Sequence, residues 1–230
     1  MTLPRESTPL RLVIFASGRG SNAENLFQMA REFPSLYQIV HLICDQENAL
    51  VLEICEQYAI EYSLCPLPSK SIDKETRRKV HETDIIKILD TISFDYICLA
   101  GYMRILSADF ISRYPHPHWS IPRIVNIHPS LLPEFKGLHA YQQAFHSAST
   151  SLGVTTHFVT EHVDDGPIIL QYKFTREEHD SLDSFMEKGL QTEHRCYRNS
   201  IRLLQEAKQL SLSQSEFVVQ CQDHIANGAL

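Results

Sequence analysis

Arg123-Ile124-Val125-Asn126-Ile127-His128-Pro129-Ser130-Leu131-Leu132-Pro133-Glu134-Phe135-Lys136-Gly137 is the stretch from which the rest of the chain is read. Ile124 and Val125 are the apolar end of a buried strand. Asn126 and His128 follow two apart, so in an extended chain a carboxamide and an imidazole leave the same face. Pro129 and Pro133 then stop sheet and helix alike. Asn-x-His alone is more often an ordinary polar strand end. It gains meaning in an open α/β sheet, where ligands bind beyond the carboxyl ends of strands.

On both sides the chain alternates short apolar runs with helical periodicity. Arg11 to Ala16 reads as a strand covered on both faces, followed by Ser17-Gly18-Arg19-Gly20-Ser21-Asn22 and a helix carrying Leu26, Phe27 and Ala30. Strands are expected at Tyr37 to Ile43, Tyr62 to Cys65 and Tyr96 to Ala100. Between them fall a helix at Ala49 to Tyr58, with Leu50, Ile54 and Tyr58 on its inner face, and an amphipathic segment at Lys70 to Ile92. A short helix follows at Ala108 to Tyr114, then a proline-rich loop from Tyr114 to Trp119. Past the central stretch, His139 to Ala148 reads as helix. Val154 to Thr160 and Pro167 to Phe174 read as two strands whose short connection suits an antiparallel pair. A long helix runs from about Ser181 to Ala207. The fold class is therefore α/β, a doubly wound, mostly parallel sheet with an antiparallel C-terminal strand pair and a long C-terminal helix. Residues 1–10 are expected as a flexible lead-in, 11–210 as a single domain, and 211–230 as a tail with one apolar cluster, Phe217-Val218-Val219.

Composition sets the class. The 230 residues carry a formal charge of −7, from 21 Lys+Arg against 28 Asp+Glu, which argues against a general nucleic-acid or anionic-membrane surface. The first ten residues lack the apolar core of a secretory signal, and no run approaches the roughly 20 apolar residues of a membrane span. Six cysteines without a C-x-x-C pair read as reduced core thiols, so a cytoplasmic protein is expected. The histidines at 116, 118, 128, 139 and 146 scatter over loop, strand end and helix without metal-ligand spacing, and no metal is expected.

Two loops carry chemistry by themselves. Ser17-Gly18-Arg19-Gly20-Ser21-Asn22 joins a strand to a helix, where backbone N–H groups and the helix dipole favour a phosphate, with Ser21 and Asn22 expected to cap the helix and donate to the anion. The loop lacks both the Gly-Lys-Ser/Thr of a nucleoside-triphosphate loop and the third glycine of a dinucleotide fingerprint. Val163-Asp164-Asp165-Gly166-Pro167 is a turn by its chemistry.

The string N-I-H-P-S-L-L-P at 126–133, the S-G-R-G-S-N loop, T-T-H-F-V-T at 155–160 and D-D-G-P at 164–167 occur in the order seen in the folate-dependent formyltransferases, which the chain resembles over roughly residues 11 to 205. That resemblance implies transfer of a formyl group from 10-formyltetrahydrofolate to the amino group of glycinamide ribonucleotide in purine biosynthesis. It implies small-molecule substrates and a monomer or homodimer. Asn126, His128 and Asp164 are the implied catalytic residues: Asn126 as oxyanion donor, His128 as charged donor and proton carrier, and Asp164 as the anion keeping the ring protonated. Gly18, Arg19, Gly20, Ser21 and Asn22 are implied to hold the substrate phosphate. Met103, Arg104, Ile105 and Leu106 are implied to line the folate pocket, Arg104 through its backbone, and Glu193 to meet the ribonucleotide.

Departures from the family pattern are Tyr102 where Phe is usual, Asp165 where Gly is common, Leu190 where a polar partner for Glu193 is expected, and a longer loop around His116. Transfer-RNA and sugar-nucleotide formyltransferases and formyltetrahydrofolate hydrolases normally add a domain for which this chain is too short. A non-catalytic folate- or nucleotide-binding module has no need of Asn126, His128 and Asp164 together.

Overall fold

The computed structural model describes residues 8–149 and 152–228. Of the lead-in expected at residues 1–10, residues 1–7 lie outside the described residues, and Leu10 already belongs to the first strand. β1 (Leu10–Ala16) begins at Leu10, which is buried, and apart from the exposed Arg11 it is buried along its length, which is why the strand reads as a near-continuous apolar run. Leu12, Ile14 and Ala16 enter one core, while Val13 and Phe15 enter a second on the opposite face.

After β1 come α1 (Ser21–Glu32), β2 (Tyr37–Cys44), α2 (Leu50–Tyr58), β3 (Tyr62–Leu64), α3 (Lys74–Leu89), β4 (Tyr96–Leu99) and α4 (Ala108–Ser112). Then follow β5 (Ile124–His128), α5 (Ala140–His146), β6 (Leu152–Phe158), β7 (Ile168–Phe174), α6 (Leu182–Leu210) and α7 (Gln214–Gly228). Residues from α1, α2, α6 and α7 share the core that receives Leu12 and Ile14, and residues from α3 and α4 share the one that receives Val13 and Phe15. In α2 the inner face differs from expectation. Val51 and Cys55 are buried, whereas Leu50 is 52% exposed.

The sheet order is β3-β2-β1-β4-β5-β6-β7. From β1 to β5 all pairings are parallel, and β6 and β7 form the expected antiparallel pair. β5 also pairs antiparallel with β6, which sets His157 opposite Asn126. The chain leaves β1 toward β3 and returns to β4 on β1's other side. The carboxyl ends of β1 and β4 therefore flank the point where strand order reverses, the place at which such sheets bind ligands.

The 114–122 loop and the C-terminal segment account for each other. Trp119 stacks between His116, 4.0 Å away by ring centroid, and Phe217 of α7, 4.6 Å away. Its indole N–H donates to the Leu212 carbonyl at 3.0 Å, and the Ser120 N–H donates to Gln214 at 2.7 Å. The residues expected as a tail thus hold a docked helix, and its apolar triplet divides: Phe217 is buried while Val218 and Val219 face outward.

Candidate active site

β5 delivers Asn126 and His128 to the sheet's carboxyl edge, and the segment after it is pinned from β6. Thr155 Oγ1 donates to the Ser130 carbonyl at 2.6 Å and accepts from the Leu132 N–H at 3.0 Å. Phe135 then adopts a left-handed φ of 51°, and its carbonyl lies 2.8 Å from His128 Nε2. Asp164 also sits at a left-handed φ, 50°, in the β6–β7 connection. One carboxylate oxygen, Oδ2, stands 3.3 Å from His128 Nδ1 and accepts from the Gly137 N–H at 2.8 Å. The other, Oδ1, is 3.5 Å from His157 Nε2. Non-glycine residues held at positive φ carry strain, and such positions gather at functional sites.

Burial dominates the electrostatics of His128 and draws its pKa down, with the Asp164 charge and the Phe135 carbonyl acting in the opposite direction. The expectation that Asp164 keeps this ring protonated has the sign of that single interaction right, but desolvation outweighs it. For Asp164, burial acts to raise the carboxyl pKa, and hydrogen bonding to His157, the nearby His128 and the Gly137 N–H bring it below the usual value. The free site therefore pairs a neutral imidazole with an anionic carboxylate. A ring that donates from Nε2 to Phe135 turns a bare Nδ1 toward Asp164, so the pair is one proton short of a charge-assisted hydrogen bond.

His157 orients Asn126. Its Nδ1 lies 3.0 Å from the Phe158 carbonyl, and its Nε2 lies between Asn126 Nδ2, at 3.3 Å, and Asp164 Oδ1, at 3.5 Å. At most one of the two Asn126 amide N–H groups can point at that nitrogen, so one is left for the cavity. His157 was legible as a residue but not as a partner, because the β5–β6 register that sets it opposite Asn126 is a tertiary fact.

The glycine loop follows β1. Gly20 at φ 81° is the N-cap of α1 and has no side chain with which to cap, so Ser21 and Asn22 are the first two helical residues and not caps. The helix opens with orphan N–H groups, which suits an anion. Asn22 turns its side chain away from that task and donates from Nδ2 to Glu193 Oε2 at 2.6 Å. Arg19 is exposed at the cavity rim.

Beyond β4, the Gly101–Leu106 segment is tied to that loop through Ser17. The Ser17 N–H donates to the Gly101 carbonyl at 3.2 Å, and Ser17 Oγ accepts from the Met103 N–H at 2.9 Å. Met103 and Ile105 are 65% and 63% exposed, while Leu106 is buried. The Arg104 guanidinium is engaged by the fully buried Asp45 carboxylate at 2.5 Å, which leaves the backbone of residue 104 for ligand contact. Two consecutive α3 residues brace the segment from behind. His81 Nε2 meets the Tyr102 hydroxyl at 2.7 Å, and the Glu82 carboxylate accepts from the Ser107 N–H at 2.7 Å.

These parts line one cavity of about 600 Å³, with the glycine loop, residues 99–106, Asn126, His128, Asp164 and Glu193 in its wall. Among the described residues, no three His, Cys, Asp or Glu side chains gather in a way that could hold a metal. All six cysteines are buried free thiols.

The formyl transferase family profile matches residues 10–201 of the chain. The chain belongs to the formyl transferase family. This formyl transferase is 34% identical over 196 residues to the phosphoribosylglycinamide formyltransferase of Bacillus subtilis (strain 168), covering 84% of the chain and 94% of that protein. It is 35% identical over 196 residues to the trifunctional purine biosynthetic protein adenosine-3 of Bos taurus, again covering 84% of the chain but only 18% of that longer protein. The solved phosphoribosylglycinamide formyltransferase from Brucella melitensis superposes with a TM-score of 0.75 at 37% identity, covering 86% of this formyl transferase and 96% of that chain. No helix among the described residues is long and apolar enough to cross a membrane.

Proposed function

We propose that the chain transfers the formyl group of 10-formyltetrahydrofolate to the amino group of glycinamide ribonucleotide, a step of purine biosynthesis in the cytoplasm, through a single formyltransferase unit over residues 11–210. One observation carries the reading. A helix N-terminus without a side-chain cap, an exposed apolar segment at Met103–Ile105 and the Asn126, His128 and Asp164 group open into the same cavity. A phosphate-bearing amine and a flat apolar donor can meet there.

Formyl transfer to an amine passes through a tetrahedral carbon bearing a developing oxyanion. The free N–H of Asn126 is the donor aimed at that oxygen, preorganised by His157; one such donor is worth a few kcal/mol in a closed site. The attacking nitrogen must lose a proton and the departing folate nitrogen must gain one as its bond to the formyl carbon breaks. The His128–Asp164 pair is built to take the first and return it to the second, with acceptors already placed for both ring N–H groups. The backbone at Ser21 and Asn22 holds the phosphate, and Gly18, Arg19 and Gly20 shape its approach. Met103, Ile105, Leu106 and the backbone at Arg104 receive the folate, and no metal takes part. No side chain is required to form a covalent intermediate.

The test is incubation of the purified chain with 10-formyltetrahydrofolate and glycinamide ribonucleotide, following both tetrahydrofolate release and formylated ribonucleotide. Matched formation of the two products is expected. Release of tetrahydrofolate with formate and no formylated ribonucleotide would make the chain a hydrolase and overturn the reading.

A further inference from the structure

Glu193 is held from two sides. The Tyr141 hydroxyl of α5 donates to Oε1, and the Asn22 amide of α1 donates to Oε2 at 2.6 Å. A carboxylate offers about four acceptor sites, so two remain after these bonds. Glu193, Tyr141 and the glycine loop all line the active-site cavity.

The tyrosine reaches Glu193 because residue 189 has no side chain. A Cβ at Gly189 would stand 2.3 Å from Tyr141 Cε1 and 2.5 Å from the hydroxyl oxygen, closer than atoms can approach. Glycine is disfavoured inside a helix, and here the vacated space is filled by the ring. One residue on, Leu190 lines the cavity with an apolar side chain, so the preceding turn of α6 supplies no polar support to Glu193 at that position.

We propose that Tyr141 is a positioning residue for the phosphate-bearing substrate, and that Tyr141 and Gly189 form a matched pair fixing the Glu193 carboxylate beside the phosphate loop. Held there, Glu193 accepts hydrogen bonds from the amine or hydroxyl groups of a ligand whose phosphate rests on the α1 N-terminus. The proposal rests on the ribonucleotide reading above.

The pair also leaves a mark in the pH dependence. The groups facing Glu193 are the Tyr141 hydroxyl, the Asn22 amide and, along α6, the Cys196 thiol. Burial pushes the Glu193 carboxyl up, while the bonds from Tyr141 and Asn22 pull it down. Removing the tyrosine hydroxyl raises it further, so a larger fraction is protonated at a given acidic pH.

The experiment is steady-state kinetics of the wild type, Tyr141→Phe and Gly189→Ala with both substrates across pH, with thermal unfolding of each. Tyr141→Phe keeps the ring and removes one hydrogen bond to a charged acceptor. Its ribonucleotide KM should rise about tenfold, with kcat nearly unchanged and the KM for 10-formyltetrahydrofolate unaffected. The acidic limb of kcat/KM for the ribonucleotide should move to higher pH. Gly189→Ala displaces the ring and should reproduce the same KM change if Tyr141→Phe proves poorly folded. An active wild type with an unchanged ribonucleotide KM and limb in both variants would overturn the proposal, as would an equal rise in both substrates' KM values, which marks general loosening. A wild type that transfers no formyl group to the ribonucleotide would remove the functional reading first, and this inference with it.

Discussion

His128 Nδ1 and Asp164 Oδ2 stand 3.3 Å apart, both side chains nearly sealed from water, and burial holds the imidazole below its ordinary pKa. A neutral ring beside an ionised carboxylate is a poor hydrogen bond until a proton arrives. The pair is therefore arranged as a proton acceptor whose protonated state, with N–H groups directed at Asp164 and Phe135, is better satisfied than its resting one.

Asp164→Asn should separate charge from shape. Asparagine tolerates the left-handed backbone at φ 50°, so the turn is kept and the negative charge is lost. The kcat should fall by about 10²–10⁴-fold, the range for losing a positioned acid–base partner, with both KM values nearly unchanged. Because the Asp164 charge is what raises the His128 pKa, its removal lowers that pKa further and moves the acidic limb of residual activity to lower pH. A pH–rate profile reads both effects. Unchanged kcat would remove Asp164 from the proton relay.

Asp165→Asn should be nearly silent. Asp165 is half exposed and pairs with Lys136 at the surface, a partner the sequence does not suggest. Exposed ion pairs contribute little. Turnover and unfolding midpoint measured beside those of Asp164→Asn should show the contrast between adjacent carboxylates, and a large loss of kcat here would reverse their roles.

The two glycines of the phosphate loop should fail differently. At Gly20 a side chain meets a φ of 81° and a Cβ position 2.6 Å from Val51 Cγ2, so Gly20→Ala should cost about 1–3 kcal/mol of stability. Gly18 has ordinary φ, and its Cβ would meet nothing within 4 Å. Gly18→Ala should leave the unfolding midpoint in place and raise the ribonucleotide KM through crowding of the ligand alone. Unfolding curves and KM values for both variants check this.

Tyr102→Phe should loosen the donor side of the cavity. The ring keeps its edge contact with Phe15, at 5.2 Å between centroids, but His81 loses its 2.7 Å partner. Stability should fall by about 1–3 kcal/mol, the cost of leaving a buried polar group unpaired. The KM for 10-formyltetrahydrofolate should rise while that for the ribonucleotide holds. Thermal unfolding and the two KM values decide it.

Much of the fold is legible in the sequence because strands buried on both faces must be apolar throughout, as residues 12–16 and Tyr96–Leu99 are. Asn126 and His128 share a face by strand alternation, which needs no tertiary knowledge. What stays hidden depends on packing. Leu50 breaks the expected α2 face because Val51 packs beneath Gly20. Asn22 serves Glu193 across 171 residues of sequence, and His157 supports Asn126 only through strand pairing. The pKa direction of His128 is a balance between burial and one charge, and burial cannot be weighed before the loop after β5 is in place.

The central claim is that Asn126 stabilises the oxyanion while His128 and Asp164 take the proton. The most direct measurement is the single-turnover rate of Asn126→Ala with both substrates saturating. The rate should fall by about 10²–10³-fold, as for loss of one preorganised oxyanion donor, with the affinity for each substrate unchanged. A near-normal single-turnover rate would contradict the account.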